Sequence, residues 1–296
     1  MKALRIGALA ATTAGAVALF VLVADPAALL RGLRTLTAGS LAVAVLGTMS
    51  GVLLVASRWR VLLAAGGTDA PTARLFAAVT VGAAVNNLVP LRGGDAVRVE
   101  SAHRLTGAGR LAVAGTVVAE RLLDGFVLAL LVVTGALLSG AGGTFLWAGI
   151  AVAGVAAAVA VGVSRFGAGF AIFRRPSVAA LALLTTVGIW LADVVMYAAL
   201  ARGFDLHLST GSLLLLVGAG NLALAIPGFA AGLGSFELVT LAGAHGIGLG
   251  GPELAAFVLA VHAVIVLPTT ATGLVLARVA LPGVFQSQTP GSRVNG

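Results

Sequence analysis

The chain has 296 residues, 59% of them hydrophobic and only 9% charged, with a mean hydropathy of +1.10. Soluble domains carry roughly 25% charged residues, so a soluble domain is set aside and an all-α polytopic membrane helix bundle is expected. The net charge of +8 comes without any basic run interleaved with aromatics, which excludes nucleic acid as a partner, and the lack of cysteine excludes disulfides, thiolate metal sites and a cysteine nucleophile.

Apolar runs approaching the ~20 residues that a helix needs to cross a bilayer predict spans at 6–23, 40–56, 116–138, 145–163, 178–200 and 254–277. The first follows Lys2 and Arg5. It is longer than the roughly 7–15 residues of a signal-peptide core, so it is expected to be a retained span with a cytoplasmic N-terminus. Two segments, 75–90 and 212–247, are apolar but broken, by "NNLVP" and by "PGFAAGLGSFE". If each enters and leaves the membrane as a re-entrant hairpin, Arg58, Arg60, Arg74, Arg92, Arg98, Arg104, Arg110, Arg165, Arg174, Arg175 and Arg278 all fall on the cytoplasmic side. That is the positive-inside pattern, from which Arg31, Arg34 and Arg202 depart. Residues 1–281 are expected to form one membrane domain, and 282–296 a disordered polar tail.

The two broken segments are alike. One reads Asn87, Pro90, Gly93, Gly94, Asp95; the other reads Asn221, Pro227, Gly232, Gly234, Glu237. Paired interruptions in the two halves of a chain point to an inverted repeat with a central site.

Charge is concentrated between them. Asp95 follows Pro90 and a glycine pair, where it suits the N-cap of "AVRVESAHRL". Free amides at that helix start, with Arg92 beside them and Arg98 one turn beyond Asp95, would suit a phosphate. In "VVAERLLDGF", Glu120, Arg121 and Asp124 lie inside an apolar run. A charge at mid-bilayer costs at least ~2.5–3.5 kcal/mol, so a buried network is expected, with an arginine between the two acids. It would either lock hairpin to span or bind substrate. Glu100, Arg104 and Arg110 are expected to pair on a solvated surface. Gly232, Gly234 and Glu237 form a second glycine-rich helix start able to hold an anion. Asn86, Asn87 and the i,i+4 pair Asp193 and Tyr197 are expected polar support, and His262 is read as either an interhelical hydrogen bond, the reading preferred, or a proton relay. "GLGSFE" has no lysine and is no nucleotide loop. No catalytic constellation, metal site or cofactor is expected.

These residues carry a resemblance. "RWR" at 58–60, "PLRGGDAVR" at 90–98, "ERLLD" at 120–124 and "GLGSFE" at 232–237 stand in order. Over nearly its whole length the chain resembles the flippase-like family related to the transmembrane region of lysylphosphatidylglycerol synthase. It departs in having Ala230-Ala231 where that family has Pro-Gly, and no stretch of these 296 residues is expected to form the synthase's soluble aminoacyl-transfer domain. The resemblance implies a transporter in the bacterial cytoplasmic membrane, moving a phospholipid or polyprenyl-linked lipid between leaflets. Arg92, Arg98 and Arg121 would receive the phosphate, with Asp95, Glu120, Asp124 and Glu237 either holding them or contacting a cationic headgroup. The alternatives are a membrane transferase acting on a lipid phosphate, and a partner within a lipid-synthesis complex. Self-association through glycine-rich faces is the remaining partner expected.

Overall fold

The computed structural model describes residues 26–89, 93–141, 143–163, 175–224 and 232–279. The predicted span 6–23, Pro90, Arg92, Arg165, Arg174, Pro227 and the tail from 282 lie outside the described residues. Ten helices and no strand occur among those described: α1 Pro26–Thr35, α2 Ala38–Ala65, α3 Thr72–Leu88, α4 Gly94–Thr106, α5 Arg110–Ser139, α6 Thr144–Val163, α7 Pro176–Gly203, α8 Thr210–Ala223, α9 Ser235–Gly246 and α10 Pro252–Val279. Five of them, α2, α5, α6, α7 and α10, are long and apolar enough to cross a membrane, as hydropathy predicts. The protein is an all-α, multi-pass membrane helix bundle.

The broken segment 75–90 forms one short helix, α3, which pairs with α4 beyond it, and the segment 212–247 holds two, α8 and α9. At 1.5 Å per residue none of the four reaches the ~30 Å of a hydrocarbon core. A further helix, α1, was not expected. It packs on α10, where Arg31 meets Glu253 at 3.6 Å on the surface.

The helices repeat. Every pair of helices in substantial contact has a counterpart five helices along the chain. The short helix α3 packs on span α10, and α8 packs on α5; α4 meets α5 as α9 meets α10; α1 lies on α10 as α6 lies on α5. The pair α2 and α7 is its own counterpart. Leu36 packs against Gly203, a side chain at Gly47 would meet the Ala192 carbonyl, and Arg58 reaches Thr186. As α2 ascends α7 descends, so the axis relating the halves runs across the helices rather than along them. That is an inverted repeat, the arrangement expected from the paired interruptions.

Glycine contacts set the equivalent crossings. A Cβ on Gly273 of α10 would come within 2.3 Å of the Thr80 carbonyl oxygen on α3, and one on Gly135 of α5 within 2.4 Å of the Leu215 nitrogen on α8. Lipid offers no hydrophobic drive for helices to associate, so close backbone approach and dispersion have to supply it. At the exposed end of α2, Arg60 donates 2.9 and 3.1 Å hydrogen bonds to Asp69, which lies in the loop before α3. That guanidinium holds the Asp69 carboxyl below its ordinary 3.8. Because the folded value is lowered, the stabilisation is complete above 3.8 and fades as pH falls below it. In an NMR titration Asp69 should therefore titrate low, and should return to its ordinary value in Arg60→Ala.

Candidate functional site

The buried charge cluster forms where α2, α4, α5 and α7 meet. Arg58 of α2 lies between the two acids of α5. It donates from Nε to Glu120 at 3.3 Å, and from Nη1 and Nη2 to the two oxygens of Asp124 at 2.6 and 3.1 Å. Nη1 also donates to the Thr186 hydroxyl of α7 at 2.7 Å. Arg98 of α4 donates to the other oxygen of Glu120. Its guanidinium lies 4.3 Å from the ring centre of Trp59, whose indole N–H donates to Thr116 at 3.0 Å. The side chains of Arg58 and Glu120 are each 1% exposed.

Two arginines and two carboxylates therefore balance inside the bundle. Each bond would be weak in water, but without them every member would be a bare charge in an apolar medium. The arginine expected between Glu120 and Asp124 is present, and it is Arg58. Sequence read Arg58 as a basic residue closing an apolar run on the cytoplasmic side; the structure shows its side chain buried within the bundle. The run predicted as 40–56 continues to Ala65, since its charge is neutralised by tertiary contacts.

Asp95 and Arg121 are different. Arg121 Nη2 donates to Asp95 Oδ1 at 2.8 Å, and their side chains are 53% and 40% exposed. Asp95 does not cap α4. The Gly94 N–H instead donates to Asn86 Oδ1 of α3 at 2.8 Å, and this corrects the expected Asp95 cap. Asn86 holds that amide because α3 and α4 touch backbone to backbone at Gly82 and Gly94, where a Cβ on Gly94 would be 1.9 Å from the Gly82 carbonyl. The freed carboxylate turns to Arg121, and to Arg98 at 3.8 Å. Next door, Asn87 donates to Thr270 of α10 at 2.9 Å. A groove of about 630 Å³ runs beside the Asp95–Arg121 pair between α4 and α5, floored by Val117 and Val118 and reaching Arg110. Glu100 pairs with Arg104 and Arg110 at 2.7 and 2.8 Å, as sequence expects.

The second half has its own polar set. Gly232 and Gly234 take left-handed backbone, φ +75° and +87°, and Glu237 accepts the Gly234 N–H at 2.7 Å. The other Glu237 oxygen meets His262 Nδ1 of α10, both side chains being 3% exposed. Asn221 of α8 donates to Asp193 at 3.3 Å. Tyr197 lies one turn from Asp193, fully buried, and its hydroxyl has no hydrogen-bond partner among the described residues. The structure thus separates the expected site residues into a first-half group, Asp95, Arg98, Glu120, Arg121 and Asp124, and a second-half group, Gly232, Gly234 and Glu237 with Asp193 and Tyr197.

An inverted bundle of spans and paired short helices around buried charge defines a multi-pass integral membrane protein. The model of the lysylphosphatidylglycerol synthase transmembrane region matches residues 5–273, and the chain belongs to that family. Membership ties it to phospholipid metabolism or transport. No curated protein and no solved structure matches it.

Proposed function

We propose that this protein moves a lipid with an anionic headgroup, a phospholipid or a polyprenyl-linked precursor, between the leaflets of the bacterial cytoplasmic membrane. In this reading α3 with α4, and α8 with α9, are re-entrant hairpins, each returning to the face it came from. The observation that carries the proposal is the division of the first-half charges. Arg58, Arg98, Glu120 and Asp124 pair with one another inside the bundle, while the Asp95–Arg121 pair opens onto a groove with an apolar floor and Arg110 further along. A lipid phosphate can exchange for Asp95 on Arg121, with its chains along the apolar floor. Arg92 adjoins this group in sequence.

The test is leaflet exchange of fluorescent phosphatidylglycerol in proteoliposomes. Arg121→Ala should slow exchange about tenfold or more, the worth of one charge-assisted hydrogen bond. Its unfolding free energy should change by less than ~1 kcal/mol, because the pair is half exposed. Equal exchange by wild type and variant would remove the site from this groove. A new lipid species in the vesicles, seen by mass spectrometry, would replace translocation with group transfer.

A further inference from the structure

The inverted repeat pairs up side chains as well as helices. In the first half, the second short helix is tied to the following span by Arg98 of α4 and Glu120 of α5. In the second half the same two helices, five places on, are tied by Glu237 of α9 and His262 of α10. Both ties are buried. They differ in what they can hold. Arg98 and Glu120 sum to zero, and a guanidinium does not give up its proton. Glu237 with a neutral imidazole sums to −1, and one added proton brings it to zero.

That added proton has a defined place. With the imidazole neutral, Nδ1–H donates to the Glu237 carboxylate; on uptake the pair becomes carboxylate with imidazolium, or carboxylic acid with imidazole. The Gly234 N–H on the second carboxylate oxygen and the N-terminal turn of α9 favour the anion when the proton leaves. The apolar surroundings favour the neutral, protonated pair. Phe236 lies against the imidazole, with ring centres 4.7 Å apart.

Helix α8 has no titratable side chain. Helix α7 contributes Asp193, bonded to Asn221, the Tyr197 hydroxyl, and Arg202 in its last turn. From α2, Arg58 is committed to Glu120 and Asp124, and Arg60 to Asp69. Helix α1 supplies Arg31, paired with Glu253 at the start of α10, and Arg34; α3 supplies Arg74. On the two helices themselves, His245 and Arg278 lie in the last turns of α9 and α10.

We infer that the Glu237–His262 pair is a proton-binding site of the second half, and that its loading and unloading couples lipid movement to a proton gradient. The coupling rests on the translocation reading above; the proton site does not.

Two measurements separate these. The first titrates detergent-solubilised protein between about pH 5 and pH 8, following histidine 15N signals and the carboxylic-acid C=O infrared stretch together. The proton is then seen on whichever partner holds it. One titration should vanish in both Glu237→Gln and His262→Gln and persist in Asp193→Asn. A protein in which neither signal titrates over that range overturns the site.

The second measurement uses phosphatidylcholine vesicles holding fluorescent phosphatidylglycerol and an imposed pH gradient. With one proton per lipid, the leaflet ratio of the probe shifts by up to tenfold per pH unit. It should return to one in His262→Gln and Glu237→Gln. A wild-type ratio that ignores the gradient while exchange proceeds overturns the coupling. If wild type exchanges no lipid at all, the translocation reading fails and the coupling with it, while the titration still decides the proton site.

Discussion

Replacing Arg58 with alanine should lower the stability of the protein by about 3–5 kcal/mol. Asp124 would lose both of its hydrogen bonds from Arg58, and Glu120 would retain Arg98. An acid left unpaired in an apolar interior must either protonate or draw water in, and either change disturbs the α2, α5 and α7 junction. A denaturant titration in mild detergent measures the loss. Lysine at 58 should rescue only part of it, since one ammonium cannot reproduce the forked contact with Asp124 while also reaching Glu120 and Thr186. The double change Arg58→Met with Asp124→Leu should recover most of the loss, because it removes a complete charge pair and leaves Arg98 with Glu120. If the single and double variants were equally unstable, the packing of Arg58 would matter rather than its charge.

The second large effect is expected at the joint of the first short-helix pair. In Gly94→Ala the new methyl would lie 1.9 Å from the Gly82 carbonyl oxygen and 2.8 Å from Asn86 Cγ. Neither neighbour can move cheaply: one is helix backbone, and the other accepts the Gly94 N–H. The α3 and α4 axes must therefore separate, which should cost ~3 kcal/mol or more, the upper end for overpacking. Separation also breaks the Asn86 cap and shifts Arg98, so Glu120 loses its geometry as well. A substitution at Gly107, with nothing within 4 Å of an added Cβ but φ +72°, should cost only its backbone strain. Comparing alanine at the two positions by unfolding separates crowding from backbone preference.

Much of this was legible in the sequence, and the gaps have physical reasons. Hydropathy locates the five long helices, because the cost of exposing backbone and charge to lipid acts residue by residue. The broken segments were visible as Asn, Pro and Gly inside apolar runs. That Glu120 and Asp124 needed an arginine between them followed from their i,i+4 spacing alone. Which arginine it was did not follow, since Arg58 stands 62 positions from Glu120 and, at the end of an apolar run, had a sufficient topological explanation. The Asp95 cap failed for a similar reason: a local preference lost to Asn86, brought in by a glycine contact that no local pattern encodes. His262 was read as an interhelical hydrogen bond or a proton relay; its partner, Glu237 on the adjacent helix, appears only once α9 and α10 are packed.

The exchange of short helices between halves sets an order of assembly. Helix α3 rests on α10, and Asn87 finds its hydroxyl partner at Thr270, 183 positions later in synthesis. During translation the first pair must wait beside α2, with its polar tip unsupported, until the last span arrives. Helix α8 finds α5 already in place. The N-terminal half is thus the vulnerable one while the chain is being made, exposed to premature degradation or to chaperone capture at the membrane. Two fragments divided between α6 and α7 should each be short-lived alone and persist when made together.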